Sequence, residues 1–194
     1  MEKLDIRKYD KSIALIFGIL TLAIILALTN TEFLKWAFAR HQNLLSWYVR
    51  PLFLVPFCYF AYKKSWAGIS ITIFLLATSM FWFPAPAVVG PQEAQFLEME
   101  LDYLTGEWGF AKILVALLVP LSFIVLGAAF WKRNILMGLA VIVLIAVAKM
   151  IWGVVFGGES GTSIFAPAIV GLVICAVLIY LGFKKPWQKK KSSP

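Results

Sequence analysis

Six apolar blocks separated by polar turns set the pattern of the chain: Ser12–Thr29, Leu45–Tyr62, Trp66–Phe83, Phe110–Phe130, Ile135–Phe156 and Ser163–Phe183. Each runs for about 18 to 22 residues, enough at about 1.5 Å per residue to cross the hydrocarbon core of a bilayer. The pattern predicts an all-α integral membrane protein, a six-transmembrane-helix bundle forming one polytopic domain over residues 1–194. Residues 184–194 make a basic tail after the last block. The longest connection, Pro84–Gly109, has its own periodicity. Gly90-Pro91 starts it, Gly106 ends it, and Leu97, Leu101 and Leu104 recur at helical spacing opposite Gln95, Glu98 and Asp102. This predicts a short amphipathic helix lying on or tucked into the outer surface between spans three and four.

The charges between blocks orient the bundle. Lys3, Arg7, Lys8 and Lys11 precede the first block. Lys63-Lys64 and Lys132-Arg133 fill two turns, and Lys184, Lys185, Lys189, Lys190 and Lys191 follow the last. All of these share one side if six spans alternate. Glu32, Glu93, Glu98, Glu100, Asp102, Glu107 and Glu159 fall on the other. The positive-inside rule then puts both termini in the cytoplasm and the amphipathic helix outside, in the cytoplasmic (inner) membrane. Tryptophans near block ends fit an interfacial belt. A retained first span fits better than a cleaved leader, because no small-x-small cleavage site follows it.

Composition agrees: 61% hydrophobic, 14% charged and a mean hydropathy of +0.85 exclude an ordinary soluble globule and a disordered chain. The net charge of +8 follows from the topology, so no nucleic-acid partner is expected. The basic tail instead suits anionic lipid headgroups. Cys58 and Cys175 sit inside apolar blocks as small hydrophobes, and His41 is the only histidine. No metal site or cofactor is expected.

Ionisable residues inside spans point to function, since a cation at mid-span costs about 2.5–3.5 kcal/mol. Arg50 lies about 7 Å and Lys149 about 10 Å in from the outer ends of their spans, with Lys112 near the outer end of span four. The acids Glu98, Glu100 and Asp102 lie on the same side. Together these residues define a candidate outward-facing polar pocket for an anionic or amphipathic ligand, anchored by Arg50 and Lys149. A plainer reading accompanies each residue. Arg50 and Lys112 snorkel to the interface, Lys149 makes one ion pair that locks the amphipathic helix, and the acids form a solvated face.

Three further features carry weaker signals. The order Leu-Val-Pro, basic turn, Gly, Met-x-Trp occurs at Leu54 to Trp82 and again at Leu118 to Trp152, an internal echo of the kind parallel repeats leave. Pro56, Pro120 and Pro167 fall inside blocks and can kink them. Gly158-Glu159-Ser160-Gly161 has the look of a nucleophile turn, but no histidine lies on spans four to six to activate the serine. The leading expectation is a small transporter or ligand-binding membrane protein. The alternatives are a non-catalytic subunit or scaffold of a larger complex, or a homo-oligomer, and an enzyme acting on lipids at the outer leaflet.

Overall fold

The computed structural model describes the backbone of residues 6–191 and the side chains of residues 8–183. Lys3 and the side chains of Arg7 and of the five tail lysines lie outside them. Helix makes up 85% of the structure and no strand occurs among the described residues, so the chain is all-α. The α-helices are α1 (Asp10–Ala27), α2 (Thr31–His41), α3 (Leu44–Leu52), α4 (Leu54–Lys63), α5 (Trp66–Thr78), α6 (Pro91–Thr105), α7 (Phe110–Trp131), α8 (Ile135–Gly157) and α9 (Phe165–Lys191). Short 3₁₀ segments cover Ile6–Tyr9, Ser79–Phe81 and Ser160–Ile164.

Five stretches are long and apolar enough to cross a membrane: Asp10–Ala27, Leu44–Lys63, Phe110–Trp131, Ile135–Gly157 and Ser160–Phe183. That is the makeup of a multi-pass membrane protein. The third expected block is shorter than its hydropathy suggested and covers Trp66–Phe81. Its helix ends where hydroxyls compete for backbone carbonyls: Thr78 Oγ1 donates to Phe74 O and Ser79 Oγ donates to Leu76 O. Pro84 and Pro86 then prevent continuation.

The second stretch is broken at Phe53 into α3 and α4. Pro51 and Pro56 have no N–H to close the helical bonds to Trp47 and Leu52, so two rungs are lost within about a turn and a half. A tighter bond from Phe53 N to Arg50 O bridges the gap at 3.2 Å. The Cys175 thiol of α9 donates to the Pro51 carbonyl at 3.2 Å. Of the three prolines expected to kink spans, Pro56 does so. Pro120 lies within unbroken α7, and Pro167 sits in the first turn of α9, where a proline costs little.

Two apolar clusters divide the interior. One joins α4, α7, α8 and α9 through Phe57, Leu126, Phe130, Ile142, Ile179 and Phe183. The other gathers Leu34 and Phe38 of α2, Trp47 of α3, Met80, Phe96 and Leu97 of α6, and Ile164. The amphipathic helix α6 is therefore docked on its apolar face. Helix α1 packs chiefly on α5, with Phe17 edge-on to Phe74 at 5.5 Å, and buries none of its residues.

The internal echo has a structural counterpart. Helices α4 and α7 both end in a left-handed basic residue, Lys64 at φ 57° and Arg133 at φ 58°. Each turn closes with the same pair of bonds: Ser65 N to Phe60 O and Lys64 N to Ala61 O, then Asn134 N to Ala129 O and Arg133 N to Phe130 O. The next residue caps the following helix in both, as Ser65 Oγ accepts from Gly68 N and Asn134 Oδ1 from Met137 N. Gly68 lies against the Phe60 ring and Gly138 against the Phe130 ring. The glycines let each hairpin close around a phenylalanine eight positions earlier.

Candidate functional site

The chain between α2 and α3 builds the first half of the site. Asn30 caps α2, its Oδ1 accepting from Glu32 N and Phe33 N, and Asn43 caps α3, accepting from Leu45 N. The one-turn link between the two helices sets His41 above the first turns of α3. Its backbone carbonyl accepts from Trp47 Nε1 at 2.8 Å. Two bonds tie this corner to the end of the α5 hairpin: Arg40 Nε donates to Phe81 O at 2.7 Å, and Asn43 Nδ2 donates to Pro84 O at 3.1 Å.

Ser46 and Arg50 are four apart on α3 and so share a face, which meets the His41 ring. His41 Nδ1 lies 2.8 Å from Ser46 Oγ, and Arg50 Nη1 lies 3.2 Å from His41 Nε2. The directions of these bonds follow from chemistry. A guanidinium can only donate, so Nε2 accepts, and the imidazole proton sits on Nδ1. Nδ1–H then donates to Ser46 Oγ, whose own hydrogen goes to Asn43 O at 2.8 Å. This order leaves the serine as acceptor from the histidine, the reverse of what a nucleophile needs. His41 is buried, and that burial, with the positive charges of Arg50 and Lys149, holds its imidazole well below the usual histidine range.

The second half comes from α6 and α8. Lys149 Nζ donates to Glu100 Oε1 at 2.6 Å. The ammonium also lies 4.3 Å from the Trp152 ring centre and 5.5 Å from that of Phe96. Rings link the halves: Trp47 is edge-on to Phe96 at 5.9 Å, Phe96 to Trp152 at 6.3 Å, and Tyr103 to Trp152 at 5.5 Å. The charge of Glu100 acts on Arg50, and that of Lys149 on His41, so the halves form one electrostatic cluster. Among the described residues Arg50 makes no ion pair. One of its five guanidinium N–H groups is bonded, to His41.

The structure thus brings together Arg50, Lys149 and Glu100 of the expected pocket and leaves out the rest. Lys112 instead closes the C-terminus of α6, donating to Gly106 O at 2.9 Å and lying over the Trp108 and Tyr103 rings. Glu98 and Asp102 are exposed on the opposite face of α6 from Glu100. Among the described residues no group of three His, Cys, Asp or Glu is placed to hold a metal ion. The Tyr103 hydroxyl is buried without a hydrogen-bond partner. A cleft of about 400 Å³ lies elsewhere, at the Lys132–Asn134 turn.

His41, Ser46 and Trp47 are members that the sequence reading passed over. A signal existed: His41, Ser46 and Arg50 are spaced five and four, and the only histidine of the sequence stands just before the only apolar block that contains an arginine. Gly158–Gly161, by contrast, has a packing explanation. Ser160 Oγ donates to Gly157 O and is buried, while Gly161 lies directly against the Gly153 backbone of α8. Compared with models of known families, with curated proteins and with solved structures, the chain matches none.

Proposed function

We propose that this chain is a small transporter or ligand-binding protein of the cytoplasmic membrane with an outward-facing seat for a carboxylate or phosphate group on an amphipathic ligand. One observation carries the reading: Lys149 is paired with Glu100, while Arg50, which the same carboxylate influences, makes no ion pair among the described residues and donates to a neutral histidine. A partly buried cluster with one excess positive charge is stabilised by one more anion. The unbonded N–H groups of Arg50 offer that anion a forked contact. The half-buried ring of Trp152, against which the Lys149 ammonium lies, suits an apolar portion beside it. The break at Phe53, one turn below Arg50, resembles the discontinuous spans that line transporter sites.

Six crossings with both termini cytoplasmic remain the topology we favour. Although short, the stretch Trp66–Phe81 returns from the Lys63-Lys64 turn to the level of Arg40, where Phe81 O accepts its hydrogen bond. It thereby runs alongside the whole Leu44–Lys63 span. The Lys63-Lys64 and Lys132-Arg133 turns lie at one end, where Trp66 and Trp131 touch at 4.8 Å, and α6 lies at the other.

The test is calorimetric titration of the purified protein, in non-ionic detergent, with benzoate and with inorganic phosphate. Binding should appear with at least one of them, fall about tenfold or more in Arg50→Gln, and recover only partly in Arg50→Lys. Absence of heat with both anions in wild type removes the reading. Cysteines at Glu98 and Lys132, in a Cys58→Ala, Cys175→Ala background, should label from outside and from inside respectively.

A further inference from the structure

The chain of bonds Arg50 to His41 to Ser46 to Asn43 O leaves His41 with a single acceptor nitrogen, Nε2, and the guanidinium occupies it. An anion taken up by Arg50 competes for the same guanidinium. We infer that His41 is the proton-coupling site of the anion seat: as an anion docks on Arg50, the guanidinium turns from Nε2 to the anion, and Nε2 takes up one proton from water. This rests on the anion-seat reading above and adds to it a stoichiometry.

The balance is simple. One N–H bond forms at Nε2, no heavy-atom bond changes, and the site gains one negative charge from the ligand and one positive charge from the proton. The groups facing His41 favour this exchange. Arg50 of α3 and Lys149 of α8 oppose a charged imidazole, Glu100 of α6 acts on Arg50, and Arg40, next to His41 on α2, is committed to Phe81 O. The remaining neighbours, Phe38, Ser46 and Trp47, are uncharged. An arriving anion offsets the opposing cations, so the imidazole becomes easier to protonate. The lowered basicity of the buried His41 agrees with that direction. Nδ1–H stays on Ser46 throughout, so the ring keeps its orientation while Nε2 changes state.

Linkage makes the effect reciprocal: if the anion raises proton affinity at His41, protons raise anion affinity by the same factor. The affinity for benzoate should rise as pH falls from 8 to 5.5, with a limit of about tenfold per pH unit for one proton. Because His41 is the only histidine in the sequence, wild-type protein with isotope-labelled histidine and a histidine-free affinity tag reports it directly by NMR. The expected result is an imidazole titration that moves to higher pH on addition of benzoate. Calorimetry in two buffers of different ionisation enthalpy should count up to one proton taken up per benzoate, and none in His41→Gln. Benzoate binding with an unmoved histidine titration overturns the coupling and leaves the anion seat standing. Absence of binding with both benzoate and inorganic phosphate overturns both, and if phosphate alone binds it replaces benzoate in the NMR titration. The NMR measurement uses the wild-type chain, so it decides the matter even if His41→Gln does not fold.

Discussion

Lys149 of α8 and Glu100 of α6 meet at 2.6 Å across 49 positions of sequence, and theirs is the ion pair that holds the amphipathic helix to a spanning helix. The lysine side chain is 48% exposed and the glutamate 15%. The pair is thus intermediate between a surface bridge and a buried one. Glu100→Gln should lower the melting stability by about 1–2 kcal/mol, between the values usual for those two classes. Adding Lys149→Met should cost less than the sum of the two single changes, because each removes the same contact. Additive losses in a double-mutant thermal-melt cycle would show that the pair contributes nothing to holding α6.

The turn at Gly158–Gly161 should prove to be a packing device. A Cβ at Gly161 would run into the Gly153 carbonyl, a backbone atom that cannot swing aside. Gly161→Ala should therefore destabilise the fold by about 1–3 kcal/mol, the usual cost of overpacking. Ser160→Ala should leave ligand binding within about twofold of wild type. A Ser160→Ala protein that folds normally but no longer binds or turns over ligand would restore the nucleophile reading.

The two hairpins predict a matched pair of stabilising changes. Lys64 and Arg133 adopt left-handed backbone, which costs a non-glycine residue about 1 kcal/mol. Lys64→Gly and Arg133→Gly should each raise stability by several tenths of a kcal/mol in detergent melts, less what is lost with the Arg133 contact over the Tyr62 ring. A response of the same sign at both turns is what the shared geometry demands, and opposite signs would count against it.

Acid should loosen the empty protein through His41. Its folded form resists protonation, so the unfolded chain binds the extra proton as pH falls below the ordinary value of 6.5. Stability present above that value is then lost progressively toward lower pH. Melting curves between pH 8 and 5 should show the loss, above the range of about 4 where the carboxylates titrate. His41→Gln should flatten the curve.

Much of the fold could be read from hydrophobic block length alone, which is a strong signal because lipid tolerates few polar interruptions. Docking of α6 was also legible, from Leu97 and Leu101 at helical spacing. The length of the third block was misjudged because hydropathy counts Phe81 to Phe83 as apolar and does not register the hydroxyls at Thr78 and Ser79 that end the helix. For the site, intramembrane charge pointed to Arg50 and Lys149, but Glu98, Glu100 and Asp102 were grouped in one pocket although the (i, i+2) offset puts Glu100 on the other face of α6. Lys112 was misplaced because its reach back to Gly106 depends on the turn between α6 and α7. His41 escaped because its role depends on the α2–α3 corner, a tertiary relation that periodicity along one helix does not encode.

Asp10 has an implication for how the protein is made. Its carboxylate accepts from Ser65 Oγ, Trp66 N and Ala67 N, closing the open N-terminus of α5. These donors lie 55 to 57 positions later in the chain. During synthesis the first span therefore enters the bilayer with its acid still in water at the surface, since its partner has not yet been made. Helix α1 has no buried residue and packs chiefly on α5, so its main partner follows the basic turn at Lys63-Lys64 in the chain. Clasping of Asp10 therefore needs the start of α5, so the packing of α1 on its main partner cannot be completed until α2, α3 and α4 have been made.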